Sequence, residues 1–438
     1  MDKGLRIRDI KKYFHSYTTE EEFLFFFGLL GPMPLLEIGG LTFFSYSIVA
    51  VILTAMIKRG ISNINISVNT DVVVYSFITF LAFISIFKCL TNNIPDIWKS
   101  EQVKNGIWYM LYFIVFIFYA NAKHYKKVKS YLYGIYVSGL VQLIWSFLQF
   151  IIYYMCGKPL NDIIFDGVFY VTRESVSHMK GNSIILSGLC WNAANMAPLI
   201  AFTYCFSESI MIKLGIIIYS LISGSRTVMI GIAVCVTVDL YTNICKKKIS
   251  RNKVQLIIIV SMTAMGIAVL AFITKSYVYE IVLTKIKTLF FSLSSSHMQN
   301  EGSASVHIRY WTTVFDVAQK GGLLDILFGY GIGCSGYPFA AYYNQWEGLI
   351  HGPWSTECDY INYLWGTGLI SVLFRYCWYI KKCLLSYRIN KRYFMYFMAF
   401  FVEGITYNIS FNWNLILILF MIVLISKHED ICFERISN

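Results

Sequence analysis

Apolar runs of membrane length recur along most of the chain, and one long interval in its second half has none. Runs of roughly 18 or more apolar residues mark helices that cross a bilayer, where the backbone must satisfy its own polar groups. Strands of a membrane barrel alternate in polarity and do not produce such runs. Of the 438 residues, 57% are hydrophobic, 17% aromatic and 14% charged, too apolar and too charge-poor for a soluble globular domain. The expected fold class is an all-α polytopic membrane protein with about 12 transmembrane helices and one large external loop carrying short amphipathic helices.

The spans are expected near 23–37, 41–57, 72–90, 107–121, 132–156, 183–206, 209–223, 226–242, 254–273, 361–380, 393–408 and 411–426. Pro32 and Pro34 interrupt the first, which predicts a kink or a partial insertion. Basic clusters set the orientation. They lie at Lys3–Lys12, at Lys58 and Arg59, at Lys123–Lys129, at Lys246–Lys253 and at Lys381–Arg392. All fall on one side of the span count, and that side is cytoplasmic by the positive-inside rule. The net charge of +12 thus belongs to cytoplasmic loops, and no nucleic-acid partner is expected. Both termini are cytoplasmic in this reading, and loops 91–106, 157–182 and 274–360 are external. The polar, basic start shows no signal-peptide cleavage pattern, so the first apolar run is expected to be retained. Three regions follow: 1–273 with nine spans, the external loop 274–360, and 361–438 with the last three spans and a cytoplasmic tail.

The external interval is where chemistry is expected, since function concentrates in loops held by a rigid scaffold. It holds Arg309-Tyr310-Trp311, the run Gly329-Tyr330-Gly331-Ile332-Gly333, His351, Glu357 and Asp359. From Ser305 to Lys320, apolar residues Val306, Tyr310, Val314 and Val317 follow one helix face, which predicts a helix on the outer membrane surface. The three glycines predict a tight turn beside it. Arg173 lies in the second external loop, and Arg226 in the Ser223-Gly224-Ser225-Arg226 turn. Three arginines on one membrane face suit a phosphate-bearing ligand, because guanidinium grips phosphate oxygens in a bidentate fork. His351 or Glu357 is then a candidate general base for an attacking hydroxyl, and Asp359 a further substrate contact.

Plainer readings exist for each residue. A boundary arginine also binds lipid headgroups or caps a helix, and His351-Gly352-Pro353 reads as a turn. The glycine run is no nucleotide fingerprint, because no strand–helix unit frames it. Glu403, inside an apolar run, is a functional candidate or an interhelical hydrogen-bonding group, and Arg375 is expected to snorkel toward the cytoplasmic interface. Cys334 and Cys358 share the external loop and would pair if it faces an oxidising compartment. No C-x-x-C spacing points to metal or redox work.

In their order, Gly188 to Pro198, Ser223-Gly224-Ser225-Arg226-Thr227, Arg309-Tyr310-Trp311 with the glycine turn, and Asp359-Tyr360-Ile361-Asn362-Tyr363-Leu364 followed by Gly366-Thr367-Gly368-Leu369-Ile370-Ser371 resemble the bacterial O-antigen polymerase and O-antigen ligase superfamily. The resemblance implies metal- and cofactor-independent, inverting glycosyl transfer on the external face of the inner membrane. The donor would be a glycan on undecaprenyl diphosphate, and the acceptor a second lipid-linked unit, with a chain-length regulator as a possible partner. It also implies that Arg226 and Arg309 handle the diphosphate and that a histidine before the late span is the base. Here that slot falls on Glu357-Cys358, with His351 six residues earlier, and both residues stay open as the base. The replaced histidine favours a polymerase over a ligase. A flippase is the competing reading from another class, opposed by the lack of two similar halves and by the single outsized external loop, where many transporters show repeats and a midplane site.

Overall fold

The computed structural model describes residues 19–35, 37–38, 41–42, 49, 70–92, 94–119, 125–166, 179–180, 183–190, 192–245, 310–343, 356 and 358–408. These are overwhelmingly helical. The helices are α1 (Thr19–Leu30), α2 (Thr70–Thr91), α3 (Asp96–Tyr119), α4 (Tyr125–Cys156), α5 (Ala193–Phe206), α6 (Ile210–Ile222) and α7 (Arg226–Cys245), then α8 (Val314–Lys320), α9 (Leu323–Phe328), α10 (Tyr337–Tyr343), α11 (Asp359–Ile389) and α12 (Lys391–Thr406). Two antiparallel ladders of two residues each, Glu37–Ile38 with Leu41–Thr42 and Met179–Lys180 with Ser183–Ile184, are the extended pairings among the described residues.

Among the described residues, two helical stretches are both long and apolar enough to cross a membrane, Thr70–Thr91 and Lys127–Cys156. On α2, Tyr75, Ile78 and Ala82 are buried while Val73, Phe77, Phe80 and Phe87 are exposed. Both faces are therefore apolar, unlike the surface helix of a soluble domain. α1, α5 and α6 have 12, 14 and 13 residues; at about 1.5 Å per residue they fall short of the roughly 30 Å hydrocarbon layer. The spans expected at 254–273 and 411–426 lie outside the described residues, as does most of 41–57.

The chain divides into two compact units. The first comprises Met1–Ser138, Val306–Asn390 and Gly404–Asn438; the second comprises Gly139–Ser305 and Lys391–Glu403. In the first, α1 crosses α4 at paired glycines. A Cβ on Gly28 would lie 2.1 Å from the Tyr131 carbonyl oxygen, and one on Gly134 would lie 2.1 Å from that of Phe25. Small residues at such crossings let backbones approach closely.

The expected continuous helix 183–206 starts only at Ala193, capped by Asn192, whose side chain accepts from the Asn195 amide. Residues before it are buried but irregular. Their backbone is satisfied by amide side chains from α4 and the following loop. The Gly188 amide donates to Gln149 Oε1 at 2.9 Å, and the Leu189 amide donates to Gln142 Oε1 at 2.9 Å. The Gly188 carbonyl accepts from Asn161 Nδ2 at 3.0 Å. Positive φ at Gly188 (61°) makes the turn. Buried irregular backbone is tolerated when protein groups satisfy it in this way.

The described part of the expected surface helix, 310–320, also differs from expectation. Its apolar face does not lie on a surface: Tyr310 and Val317 are buried with Phe339, Cys358, Ile361 and Trp365. The opposite face carries Trp311 and Phe315, which are exposed. Packing against α11 and α10 takes the stripe that the period marked for lipid.

Candidate functional site

Each unit holds one constellation built from the motif segments. In the first, the glycine run forms the expected turn, with φ of 73° at Gly329, 109° at Gly331 and 78° at Gly333. It lies against a break in α11, where Gly368 takes φ 86° and ψ 164°. The two irregular backbones satisfy each other. The Tyr330 amide donates to the Trp365 carbonyl at 2.6 Å and the Gly331 amide to that of Gly366 at 2.9 Å. A Cβ on Gly368 would lie 2.1 Å from the Leu327 carbonyl oxygen, and a Cβ on Gly329 would lie 2.7 Å from the Gly366 backbone. Only glycine permits this crossing.

The turn is anchored on its other side by α2 and α3. Lys88 Nζ donates to the Gly329 carbonyl at 2.7 Å and pairs with Asp325. Asn105 Nδ2 donates to the Ile332 carbonyl at 3.1 Å, and Trp98 packs edge-on against Tyr337. Loops 91–106 and 274–360 were both expected outside, and these contacts join the ends of α2 and α3 to the glycine turn. The Lys88 ammonium satisfies a carboxylate and a carbonyl together, with side-chain exposures of 16% and 21% for Lys88 and Asp325. Lys88→Met is therefore expected to cost about 2 kcal/mol. The check is thermal unfolding of the purified protein in detergent. An unchanged unfolding temperature would show that the anchor contributes nothing.

Tyr330 closes the turn with its hydroxyl 3.1 Å from that of Tyr342 and 3.3 Å from Asp325 Oδ2. Burial, then the Tyr342 hydrogen bond and the Asp325 charge, push its phenol up, so it stays neutral. Cys334 and Cys358 are separated into different clusters. Cys334 packs with Cys89, Ile94 and Trp98, and Cys358 with Tyr310, Ile361 and Trp365. Both are free thiols, and burial pushes the Cys358 thiol up to about 12, leaving it protonated at neutral pH.

Asp359, a predicted substrate contact, is the first residue of α11 and only 2% exposed. Its carboxylate faces Gly404, whose added Cβ would lie 3.2 Å from Oδ2. A carboxylate in the first turn favours the positive end of the helix dipole, so its immediate role is at the helix start. Arg375 departs from expectation outright. It does not snorkel but is 1% exposed, with its guanidinium carbon 4.0 Å from the Tyr363 ring centroid.

In the second unit, the Gly188 loop and the Arg226 turn are tied together. The Leu186 amide donates to the Ser223 carbonyl at 3.0 Å, and the Tyr219 hydroxyl donates to the Leu186 carbonyl at 2.7 Å. Ser223 Oγ accepts from the Ser225 amide at 3.2 Å and Ser225 Oγ from that of Val228 at 3.4 Å. Such serine turns start helices, and they make Arg226 the first residue of α7, where it is partly exposed. Glu403 on α12 is buried against α7: a Cβ on Gly231 would lie 1.8 Å from its Oε1. Its carboxylate occupies the space that glycine leaves at the crossing of the two helices.

Arg173, Arg309, His351 and Glu357 lie outside the described residues. Among the described residues, no three His, Cys, Asp or Glu side chains converge as a metal-ligand set. Reading the sequence for charge missed Gln142, Gln149 and Asn161, which carry the buried loop. Their signal was present: amides recur among the apolar residues of 132–161. No protein-family model matches the chain, and no curated protein matches it.

Proposed function

We propose that the chain is a multi-pass bacterial inner-membrane glycosyltransferase that polymerises lipid-linked oligosaccharide repeat units into a surface polysaccharide. The growing glycan leaves its lipid diphosphate and joins a sugar hydroxyl of the next lipid-linked unit, outside the cytoplasm. Membrane insertion by about twelve spans is part of this reading. It is supported by the apolar exposed face of α2 and by Ile144, Ile151 and Met155 exposed on α4.

The observation that carries the proposal is the hydrogen-bonded pairing of the Leu186–Gly188 loop with the Ser223–Arg226 turn. Two segments of the motif series that lie far apart in sequence meet there and present an arginine at a helix N-terminus. Guanidinium and helix dipole together favour a phosphate oxygen. Arg226 and Arg309 are assigned to the diphosphate, Arg173 and Asp359 to the glycan end, and His351 or Glu357 to the acceptor proton.

The test is the surface polysaccharide made by a strain lacking the gene and complemented with variants. Loss of a polymerase leaves single repeat units on the lipid core, loss of a ligase leaves bare core, and loss of a flippase traps units inside. Arg226→Ala is expected to abolish polymer at normal protein level. Arg226→Lys should rescue poorly, because lysine offers a point charge without the planar fork. Wild-type polymer from the alanine variant removes Arg226 from the site.

A further inference from the structure

The end of α2 and the glycine turn meet at a pair of thiols that the glycosyl-transfer reading does not use. Cys89 stands in the last turn of α2, and Cys334 follows Gly333 directly. Both are 0% exposed and share a cluster with Ile94 and Trp98. The two side chains are hydrogen-bonded to each other, and both are thiols in this structure. The backbone fixes their approach. The Cys334 amide donates to the Gly331 carbonyl at 3.0 Å, and a Cβ on Gly331 would lie 3.0 Å from that of Cys89. Gln102 Nε2 donates to Cys334 Sγ at 2.7 Å, and Cys334 Sγ lies 3.6 Å from the Trp98 carbonyl oxygen.

Two other pairings compete with this one. Cys358, the partner expected for Cys334, belongs to a different cluster, with Tyr310 and Trp365. Cys205 and Cys235 hold their sulfurs 3.7 Å apart in the second unit. Cys205, however, lies one residue before the end of α5, an end that the proposed orientation puts at the cytoplasmic side. Thiols there stay reduced, whereas disulfides form and persist in oxidising compartments. Cys89 and Cys334 stand instead at loops 91–106 and 274–360, which the same orientation puts outside.

We propose that Cys89 and Cys334 form a disulfide that staples the glycine turn to the external end of α2. The proposal rests on the orientation given above but not on glycosyl transfer. Thiols already hydrogen-bonded need only a short closure to reach the roughly 2 Å bond of a disulfide. The oxidant is the disulfide of a thiol–disulfide exchange protein outside the cytoplasm. One cysteine thiolate attacks a sulfur of that disulfide and releases the other as a thiolate. The second cysteine then attacks the mixed disulfide and displaces the remaining partner sulfur. The two cysteines lose two electrons and two protons, and the partner, reduced to a dithiol, takes up both. Both sulfurs are buried in the folded chain, so exchange precedes the final packing of the turn. A cross-link between residues so far apart in sequence restricts the unfolded chain strongly.

The test traps thiols in intact bacterial cells with a permeant maleimide and maps the full chain by mass spectrometry under non-reducing conditions. A linked peptide pair containing Cys89 and Cys334 is expected, released by dithiothreitol, with Cys205 and Cys235 alkylated. Alkylation of both Cys89 and Cys334, or a link from Cys334 to Cys358, overturns the staple. Orientation is read separately, by labelling Ser295→Cys from outside with an impermeant maleimide and locating the label by peptide mapping. Alkylated Cys89 and Cys334 with Ser295→Cys labelled overturns the staple alone. Alkylated Cys89 and Cys334 with Ser295→Cys unlabelled overturns the orientation and the staple with it. In the purified protein, dithiothreitol should lower the unfolding temperature by about 5 °C, and Cys334→Ser should abolish that shift. The same shift in Cys334→Ser overturns the assignment.

Discussion

Gly368→Ala is expected to destabilise the protein by at least ~3 kcal/mol, whereas Gly366→Ala, two residues away, stays within about 0.5 kcal/mol of wild type. The contrast follows from what each Cβ meets. At Gly368 the backbone sits at φ 86° and the new carbon would lie 2.1 Å from the Leu327 carbonyl oxygen. Neither partner is the flexible end of a side chain, so the glycine turn must lift off α11. At Gly366 the nearest atom, the Gly331 carbonyl oxygen, is 3.6 Å away, an ordinary contact. In α11 the change even removes unfolded-state freedom. Thermal unfolding of the two purified variants and the yield of monodisperse protein give the measurement. A Gly368→Ala protein as stable as wild type would show that the crossing does not exist. Because the crossing places Tyr330 against α11, the polymer synthesis proposed above should fail with it.

If the chain carries out the glycosyl transfer proposed above, replacing its general base is expected to lower the rate by ~10²–10⁴, and the effect should fall on one residue of two. A sugar hydroxyl is too weak an acid to ionise unaided, so a positioned group must accept its proton as the new bond forms. A histidine with an ordinary pKa accepts a proton at neutral pH. A glutamate is a weak base unless burial raises its pKa, and neighbouring arginines oppose that rise. Chemistry therefore favours His351, while motif register favours Glu357. Initial rates on purified lipid-linked substrate separate them. A large loss in His351→Ala with near-normal Glu357→Gln makes His351 the base, and the reverse result assigns Glu357. Near-normal rates in both remove the segment before α11 from the chemistry.

The sequence by itself determined the helical class, the turn at Gly329–Gly333 and the start of a helix at Arg226. Each rests on a local cause: apolar runs of fixed length, glycines that reach positive φ, and serines that cap a helix. It could not show that 185–190 is irregular, because apolar composition looks the same in a helix and in a buried loop. Only the distant amides of Gln142, Gln149 and Asn161 make the loop affordable. The face of Tyr310 and Val317 was legible as apolar, but its partner was not, since protein and lipid both accept such a stripe. Asp359 and Arg375 were read by their charge and position in the chain. Tertiary packing decided their surroundings, setting Asp359 against Gly404 and enclosing Arg375 among tyrosines. The tertiary structure alone joined Gly329 to Gly366 and Gly368. A close approach of two backbones depends on where both chains run, and no local pattern in either one records the other.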